Sequence, residues 1–266
     1  MHLILYEVPL TFYRIPIWLG GAAVVTIFVL STLTGIEVVY KFHPVEFRRR
    51  YNDIVGFIIA VVGVLYAILL SSIAIMAMGN YNKAESYALK EAGLLENIHL
   101  VSRSLPSGTG GMVRRAAVEY ANAVIDKEWP AMQDGQIPTA GWPKLKELED
   151  IAVNIHPATI EQQKVQMQMM TEISGLANAR RARIFLSRHG IQVETWCVII
   201  LGTMGTINFT FFFGLDKRWH QMLSGSLAAL AALVVFLIAA LDHPYMGQVH
   251  VSSAVIRQAV SRMESK

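Results

Sequence analysis

The sequence predicts an all-α, polytopic membrane protein with four transmembrane helices and a helical extramembrane domain between spans two and three. The first observation behind this fold class is a set of four long apolar stretches. Each is close to the ~20 residues that a helix needs to cross ~30 Å of hydrocarbon. They are Ile15–Tyr40, Ile54–Met78, Trp196–Phe213 and Met222–Leu241. The second observation is that no stretch alternates with the period of two that is typical of a β-strand.

The third observation is composition. Hydrophobic residues make up 53% of the chain and charged residues 16%, against about 25% charged residues in a typical soluble domain. A soluble protein can bury one apolar helix, but four uncapped runs of this length favour a bilayer. The net charge of +3 is small and the basic residues are scattered, so no nucleic-acid partner is indicated. The single cysteine, Cys197, excludes an intrachain disulfide and is interpreted as a packing residue in the third span.

The first transmembrane hairpin is predicted over residues 1–79. Met1–Tyr13 carries no basic cluster, and the apolar run that follows is longer than that of a signal peptide. We therefore expect Ile15–Tyr40 to be a retained helix. The loop after it contains Arg48, Arg49 and Arg50. These arginines are expected to contact anionic lipid headgroups, with ligand recognition as the alternative.

The second span has the clearest internal pattern. Only Gly79 interrupts the helical pattern after Met78, at a cost of about 1 kcal/mol, so the helix is expected to continue well beyond the membrane. Small residues recur every three or four positions and predict a seam for close helix packing. The seam consists of Gly56, Ala60, Gly63, Ala67 and Ala74. The alternative hypothesis is that this helix lines a pore, in which apolar side chains form a dewetting constriction and hydroxyl groups assist the passing ion. Its candidates are Val64, Ile68, Ser71, Ser72 and Ile75.

Residues 80–192 form the predicted helical domain. They hold 13 of the 23 Lys and Arg residues and 12 of the 20 acids. The periodicity is helical throughout, and Glu91 is the one polar member of the first apolar stripe. The segment 106–111, rich in glycine, is expected to break the chain, and later helices are expected to end near Pro130, Pro157 and Gly190.

The second transmembrane hairpin is predicted over residues 193–241, followed by a C-terminal tail over 242–266. Thr203, Thr206 and Thr210 share one face of the third span. Either these hydroxyls bond to carbonyls of their own helix, or they form a polar face along a permeation path. Glu37 and Asp242 are the acids nearest the hydrocarbon, and an interfacial position and a proton relay are the alternatives.

No catalytic residues are predicted. The histidines lack the i, i+4 spacing of a helical metal site, and no phosphate loop or nucleophile elbow is present. We therefore expect no enzyme activity, no metal and no cofactor. Glu147, Glu149 and Asp150 are interpreted as a solvated helix face, with a cation site as the alternative. The basic short loops favour a cytoplasmic position for those loops, although the charge of a long domain is a poor guide.

Several segments in order along the chain resemble a large bacterial family described as bestrophin-like. The matching segments are Asn52–Phe57, Gly63–Tyr66, Asn80–Glu85, Tyr120–Ile125, Glu128–Pro130, Arg180–Arg183, Phe213–Gly214 and Leu241–Pro244. The match to this family extends over nearly the whole chain. The architecture is also similar to that of true bestrophins, which are homopentameric anion channels. These have four spans, a cytosolic helical domain between spans two and three, and a pore lined by span two.

The resemblance implies several functional features. It places Val64 and Ile68 approximately at the hydrophobic neck of a pore. It implies a homo-oligomer, a pentamer, in the bacterial inner membrane, with membrane lipids and small inorganic anions as partners. It also implies a cytoplasmic helical domain, against the charge of the short loops. The chain lacks the aromatic neck residues of animal bestrophins and an acidic cluster like their calcium clasp, so calcium gating is not expected.

The leading hypothesis is therefore an oligomeric bestrophin-like ion channel that passes anions. The alternative is a non-conducting membrane adaptor or scaffold whose helical domain binds a protein or lipid partner. A membrane enzyme ranks third, because neither a nucleophile with its base nor a metal-ligand set is visible in the sequence.

Overall fold

The computed structural model describes residues 13–265. The prediction for the N-terminal segment before Tyr13 lies outside the described residues. Every helix or strand assigned within residues 13–265 is a helix, so the all-α fold class is confirmed.

Ten α-helices are defined in the described residues, and one π-helical segment joins α4 to α5. They are α1 Ile17–Phe42, α2 Val45–Arg49, α3 Asn52–Ser102, α4 Ser107–Ala123, the π segment Val124–Glu128, α5 Trp129–Gln133, α6 Gly141–Val153, α7 Ile160–Arg188, α8 Val193–Thr210, α9 Lys217–Asp242 and α10 Ala254–Glu264.

The chain divides into two compact units. The first contains the residues up to Gly79 together with Ile191–Asp242, and the second contains Asn80–Gly190 together with the residues from His243 onward. The sequence suggested a separate C-terminal tail, but residues after Asp242 pack within the second unit. The Tyr245 hydroxyl donates to the carbonyl of Ala84 over 3.1 Å, and the Trp129 indole donates to the carbonyl of Val251 over 2.9 Å.

Helix α3 is 51 residues long, which corresponds to about 75 Å at 1.5 Å per residue. It runs through Gly79 without a break, as predicted. A Cβ added at Gly79 would have no atom within 4 Å. This glycine is therefore not required by packing within the chain.

Among the helices of residues 13–265, three are long and apolar enough to cross a membrane, namely α1, α3 and α9. Helix α8 meets the same conditions only when it is counted together with α7. Glu194 and Asn208, together with the Thr and Gly residues of α8, explain this, because they reduce its mean hydropathy. The fourth span therefore stays a prediction.

In the first unit, the two acids nearest the hydrocarbon lie near helix ends, and each has polar partners within the chain. Glu37 pairs with Lys217 of α9 over 2.7 Å and accepts a hydrogen bond from Gln221 over 2.7 Å. Asp242 accepts hydrogen bonds from the Trp196 indole over 3.1 Å and from the backbone N–H of Ile191. These contacts favour positions at span ends over a proton relay.

The glycine-rich segment after Pro106 differs from its prediction. Helix α3 ends at Ser102 and α4 begins at Ser107, so the glycines lie inside the first turns of α4 and only residues 103–106 break the chain. Pro106 is the N-cap with φ −51°, a value that suits the start of a helix. Gly110 lies where α4 passes the end of α3, because an added Cβ would collide with the carbonyl of Ser102.

Candidate pore face and buried charge cluster

One stripe of α3 packs inside the first unit. Leu70, Ile73 and Ala77 are buried. Leu70 and Ile73 contribute with residues of α8 and α9 to a small apolar cluster that includes Ile199 and Val235. One turn before Leu70, the Tyr66 hydroxyl lies 2.6 Å from the carbonyl oxygen of Ile199 and 2.6 Å from the hydroxyl of Thr203. This stripe fixes which side of α3 faces its own chain.

The apolar pore candidates lie on the opposite side of the same helix. Val64, Ile68 and Ile75 are 59%, 60% and 73% exposed. Two positions along a helix rotate the side chain by about 200°, so Ile68 points away from the stripe that contains Leu70. The structure brings the three candidates together on one uncovered face, which we call the α3 open face. In a membrane such a face meets lipid, another copy of the chain or a pore.

The two serine candidates border this face. Ser71 and Ser72 are exposed, and both hydroxyls donate to the carbonyl of Ile68, over 2.9 and 2.8 Å. Their O–H groups are therefore occupied by the backbone, and their oxygen lone pairs point outward. An anion that used either hydroxyl as a donor would have to turn it away from the carbonyl.

The small-residue seam runs between the buried stripe and the open face. Ala60 and Ala67 are exposed, and a Cβ added at Gly63 would meet no atom within 4 Å. At the ends of the seam, Gly56 lies near the ring of Phe213, 3.9 Å from an added Cβ, and Ala74 packs against the apolar cluster. The middle of the seam is thus uncovered within one chain.

The third-span threonines bond to their own helix. Thr203, Thr206 and Thr210 donate to the carbonyls of Ile199, Gly202 and Ile207 over 2.7, 2.9 and 2.7 Å. Thr203 and Thr210 are also buried. This geometry is the one expected from the first of the two interpretations, in which the hydroxyls satisfy backbone carbonyls.

The predicted lipid-contacting arginines separate into two groups. Arg48 is 3% exposed, and its guanidinium donates to the carbonyls of Phe211 and Phe213 over 3.2 and 2.8 Å. A helix C-terminus offers unpaired carbonyls and a negative dipole end, both of which favour a cation. Arg48 therefore caps α8 and does not reach headgroups. Arg49 bonds to Asp216 at an exposed position, and Arg50 is exposed, so headgroup contact stays a prediction for these two.

A buried cluster of charges lies in the second unit. Arg183 donates from Nε to Glu91 over 2.6 Å and from Nη2 to Glu128 over 2.8 Å. Arg180 donates to the other oxygen of Glu128 over 2.5 Å, and the Tyr120 hydroxyl donates to Glu91 over 2.5 Å. The side chains of Glu91, Glu128 and Arg183 are fully buried. Two carboxylates thus face two guanidinium groups, and the formal charge balances.

The neighbours of each group decide its protonation. Burial alone raises the pKa of Glu128, but hydrogen bonds and charge from Arg180 and Arg183 outweigh it and hold the pKa below its ordinary value. Burial alone lowers the pKa of Arg183, whereas Glu91 and Glu128 raise it above its ordinary value. Burial and the charge of Glu91 raise the pKa of Tyr120 well above its usual range. These shifts favour the charged forms of Glu128 and Arg183, with Tyr120 as a neutral donor.

Sequence reasoning missed this cluster. Arg180 and Arg183 are three residues apart on one helix face, but the sequence alone did not distinguish them from solvated charges ahead of the third span. Glu128 ends the π segment, a local widening of the helix that the sequence does not announce. The available signal was Glu91, a single carboxylate within an apolar stripe, since a buried acid requires a cationic partner. The cluster joins α3, α4, the π segment and α7.

The described part of the chain contains no cluster of side chains suited to metal binding. Within residues 13–265, no group of three or more His, Cys, Asp or Glu side chains is arranged to hold a metal ion. In the acidic segment of α6, Glu147 pairs with Lys144 over 3.0 Å. This contact fits a solvated helix face.

Comparison with known proteins gives a family and a fold. Residues 26–256 match the model of the Bestrophin-like domain. The fold is similar to crystal structures of a bacterial Bestrophin homologue from Klebsiella pneumoniae. A mutant of that homologue has a TM-score of 0.71 at 11% identity, over 92% of this chain and 98% of its own. A structure of the homologue determined by Zn-SAD phasing has a TM-score of 0.69 at 12% identity, and the match covers 92% of this chain and 97% of the homologue. No curated protein sequence matches the chain.

Proposed function

Because the chain belongs to the Bestrophin-like family, we propose that it forms a homo-oligomeric ion channel whose pore is lined by α3 of each copy. The α3 open face carries this proposal. Val64, Ile68 and Ile75 are apolar and more than half exposed, on the side of α3 that its own chain leaves uncovered. A ring of such side chains around an axis forms a hydrophobic constriction, which gates ions by dewetting.

The seam supports an oligomer. Its uncovered middle, from Ala60 to Ala67, flanks the open face. Small side chains let two helix backbones approach closely in a membrane. In a ring of copies, a helix whose open face points to the axis turns its flanks to the neighbouring copies. The seam then provides the contact between one α3 and the next, and a pentamer is the expected number of copies.

Anions are proposed as the permeant ions because the family resemblance implies them. No charged residue occurs in α3 between Asp53 and Lys83. The proposed pore-lining segment therefore carries neither the Asp or Glu rings of cation channels nor the Arg or Lys rings of anion pores, and its charge does not distinguish the two. We place the channel in a bacterial inner membrane with its helical domain in the cytoplasm, as the family resemblance implies.

Substitution at the proposed constriction tests the pore lining. We expect Ile68→Ala to raise the single-channel conductance severalfold, because a smaller side chain widens the apolar ring and lets water enter it. Ile27→Ala in α1 is the matched control, since Ile27 is 65% exposed but lies on another helix. The conductance of the Ile27→Ala channel should equal that of the wild type. Conductance in planar bilayers is the readout. Unchanged conductance in both Ile68→Ala and Val64→Ala would contradict the proposal that α3 lines the pore.

The uncovered seam also fits a second function. Two copies that pack directly through Gly63 would bring their α3 helices into dry contact, with no pore between them. The protein would then be a membrane adaptor whose helical domain binds a protein or lipid partner. The mass of the purified oligomer separates the two functions, because a pentamer supports the channel and a monomer or dimer supports the adaptor.

A further inference from the structure

A cleft in the second unit is lined by three arginines. The cleft has a volume of about 720 Å³ and lies between the end of α3, the middle of α4 and the end of α10. Arg103, Arg114 and Arg115 line it. None of the ion pairs found within residues 13–265 involves these three side chains.

Local structure places the three arginines around one cleft. Arg103 follows the last residue of α3, and Gly110 lets α4 pass close to the Ser102 carbonyl at that helix end. Arg114 and Arg115 of α4 therefore line the same cleft as Arg103. Arg114 is partly buried and its Nη1 lies 3.5 Å from the Ser102 hydroxyl, whereas Arg103 and Arg115 are exposed.

The acids of the cleft do not cancel this charge. Glu119 is bound to Lys144, whose Nζ lies 2.5 Å from its carboxylate, and the pKa of Glu119 is lowered by that hydrogen bond and by the nearby charges of Lys144 and Arg115. Glu264 is exposed. Three arginines thus face two carboxylates, one of which also binds Lys144, so the cleft keeps a net positive charge.

The remaining wall of the cleft is apolar. Leu105 and Met263 are buried, and Val118 is partly buried between them and the arginines. An occupant therefore gains from a group of multiple negative charge at one end and an apolar group at the other. Guanidinium groups bind phosphate through paired N–H donors. A cleft of this size and chemistry suits a small organic phosphate better than a bare halide.

We propose that this cleft binds a phosphate-bearing ligand with an apolar group, with the phosphate on Arg103, Arg114 and Arg115 and the apolar group against Leu105, Val118 and Met263. The site is separate from the α3 open face in sequence and chemistry. The inference does not depend on the channel proposal, because binding is measured without current.

Calorimetry on the purified full-length protein at low ionic strength tests the proposal, with pyrophosphate and ATP as probes. We expect saturable binding of at least one probe and a Kd that rises about tenfold or more in Arg103→Gln and in Arg115→Gln, since hydrogen bonds to charged groups contribute this much. Arg181→Gln is the matched control. Arg181 is exposed and lies outside the cleft, so its Kd should not change.

Two results would overturn the site. One is the absence of binding for both probes, and the other is an equal Kd in the wild type and the Arg103→Gln, Arg115→Gln double variant. A lipid headgroup and a soluble metabolite share the phosphate chemistry, and dioctanoyl phosphatidic acid separates these sources. Tighter binding of the phosphatidic acid than of ATP assigns the site to a lipid, and the reverse order assigns it to a soluble phosphate. Either order supports a phosphate site when the arginine variants weaken it.

Discussion

Arg183→Met is expected to destabilise the protein severely. The substitution removes the guanidinium that bonds to both Glu91 and Glu128 and leaves those carboxylates without it in a fully buried position. Removal of one partner from a buried ion pair costs about 3–5 kcal/mol, a large fraction of the 5–15 kcal/mol that stabilises a typical protein. Thermal unfolding of the purified protein measures the loss as a lower Tm or as failure to obtain folded protein.

Arg181→Met is the control for this prediction. Arg181 lies on the same helix two residues earlier, is exposed, and bonds only within its own turn, to Asn178 over 2.6 Å. We expect its free energy of unfolding to stay within about 0.5 kcal/mol of the wild type. If Arg183→Met unfolded at the temperature of Arg181→Met, the buried cluster would not be what holds α3, the π segment and α7 together.

Gly202→Ala is expected to have the second largest effect. An added Cβ would collide with the ring of Tyr66, and even the ring's Cζ would lie only 3.2 Å away. That ring cannot turn freely, because its hydroxyl is held at the Ile199 carbonyl and the Thr203 hydroxyl. Helix α8 must shift away from α3, at a cost of about 1–3 kcal/mol for overpacking. The measurement is the Tm of the purified protein.

Gly205 provides the matched control, one turn further along α8. A Cβ added there would meet no atom within 4 Å, so Gly205→Ala should leave the Tm unchanged or raise it, since alanine is favoured over glycine in a helix by about 1 kcal/mol. The two substitutions are chemically identical and are expected to act in opposite directions. Equal Tm values for both variants would contradict the packing of Tyr66 against Gly202.

The helices could be predicted from the sequence because their causes are local. Apolar length identifies α1, α3 and α9, and the absence of a strong breaker after Met78 predicts that α3 continues beyond the span. The C-terminal residues could not be placed in this way. Tyr245 is fully buried through contacts with residues more than 100 positions away, and such contacts leave no periodic signal nearby.

The candidate pore residues could be placed on one helix from sequence, but their exposure could not. Val64 and Leu70 are both apolar, and only the tertiary contacts of Leu70 show which side of α3 faces its own chain. For Arg48, the sequence pattern predicted the wrong contact. It stands in a basic triplet that is typical of headgroup contact, yet it caps α8 because the end of that helix lies beside it. Partners that are distant along the chain decide both cases.

Current through a planar bilayer that contains the purified protein, under a chloride gradient, tests the central claim most directly. We predict channel currents that reverse near the chloride equilibrium potential, because the family resemblance implies anion permeation through a pore lined by the open face of α3. Reversal at the cation potential would contradict anion selectivity. The absence of current, with a control channel active in the same preparation, would contradict the channel itself and favour the adaptor.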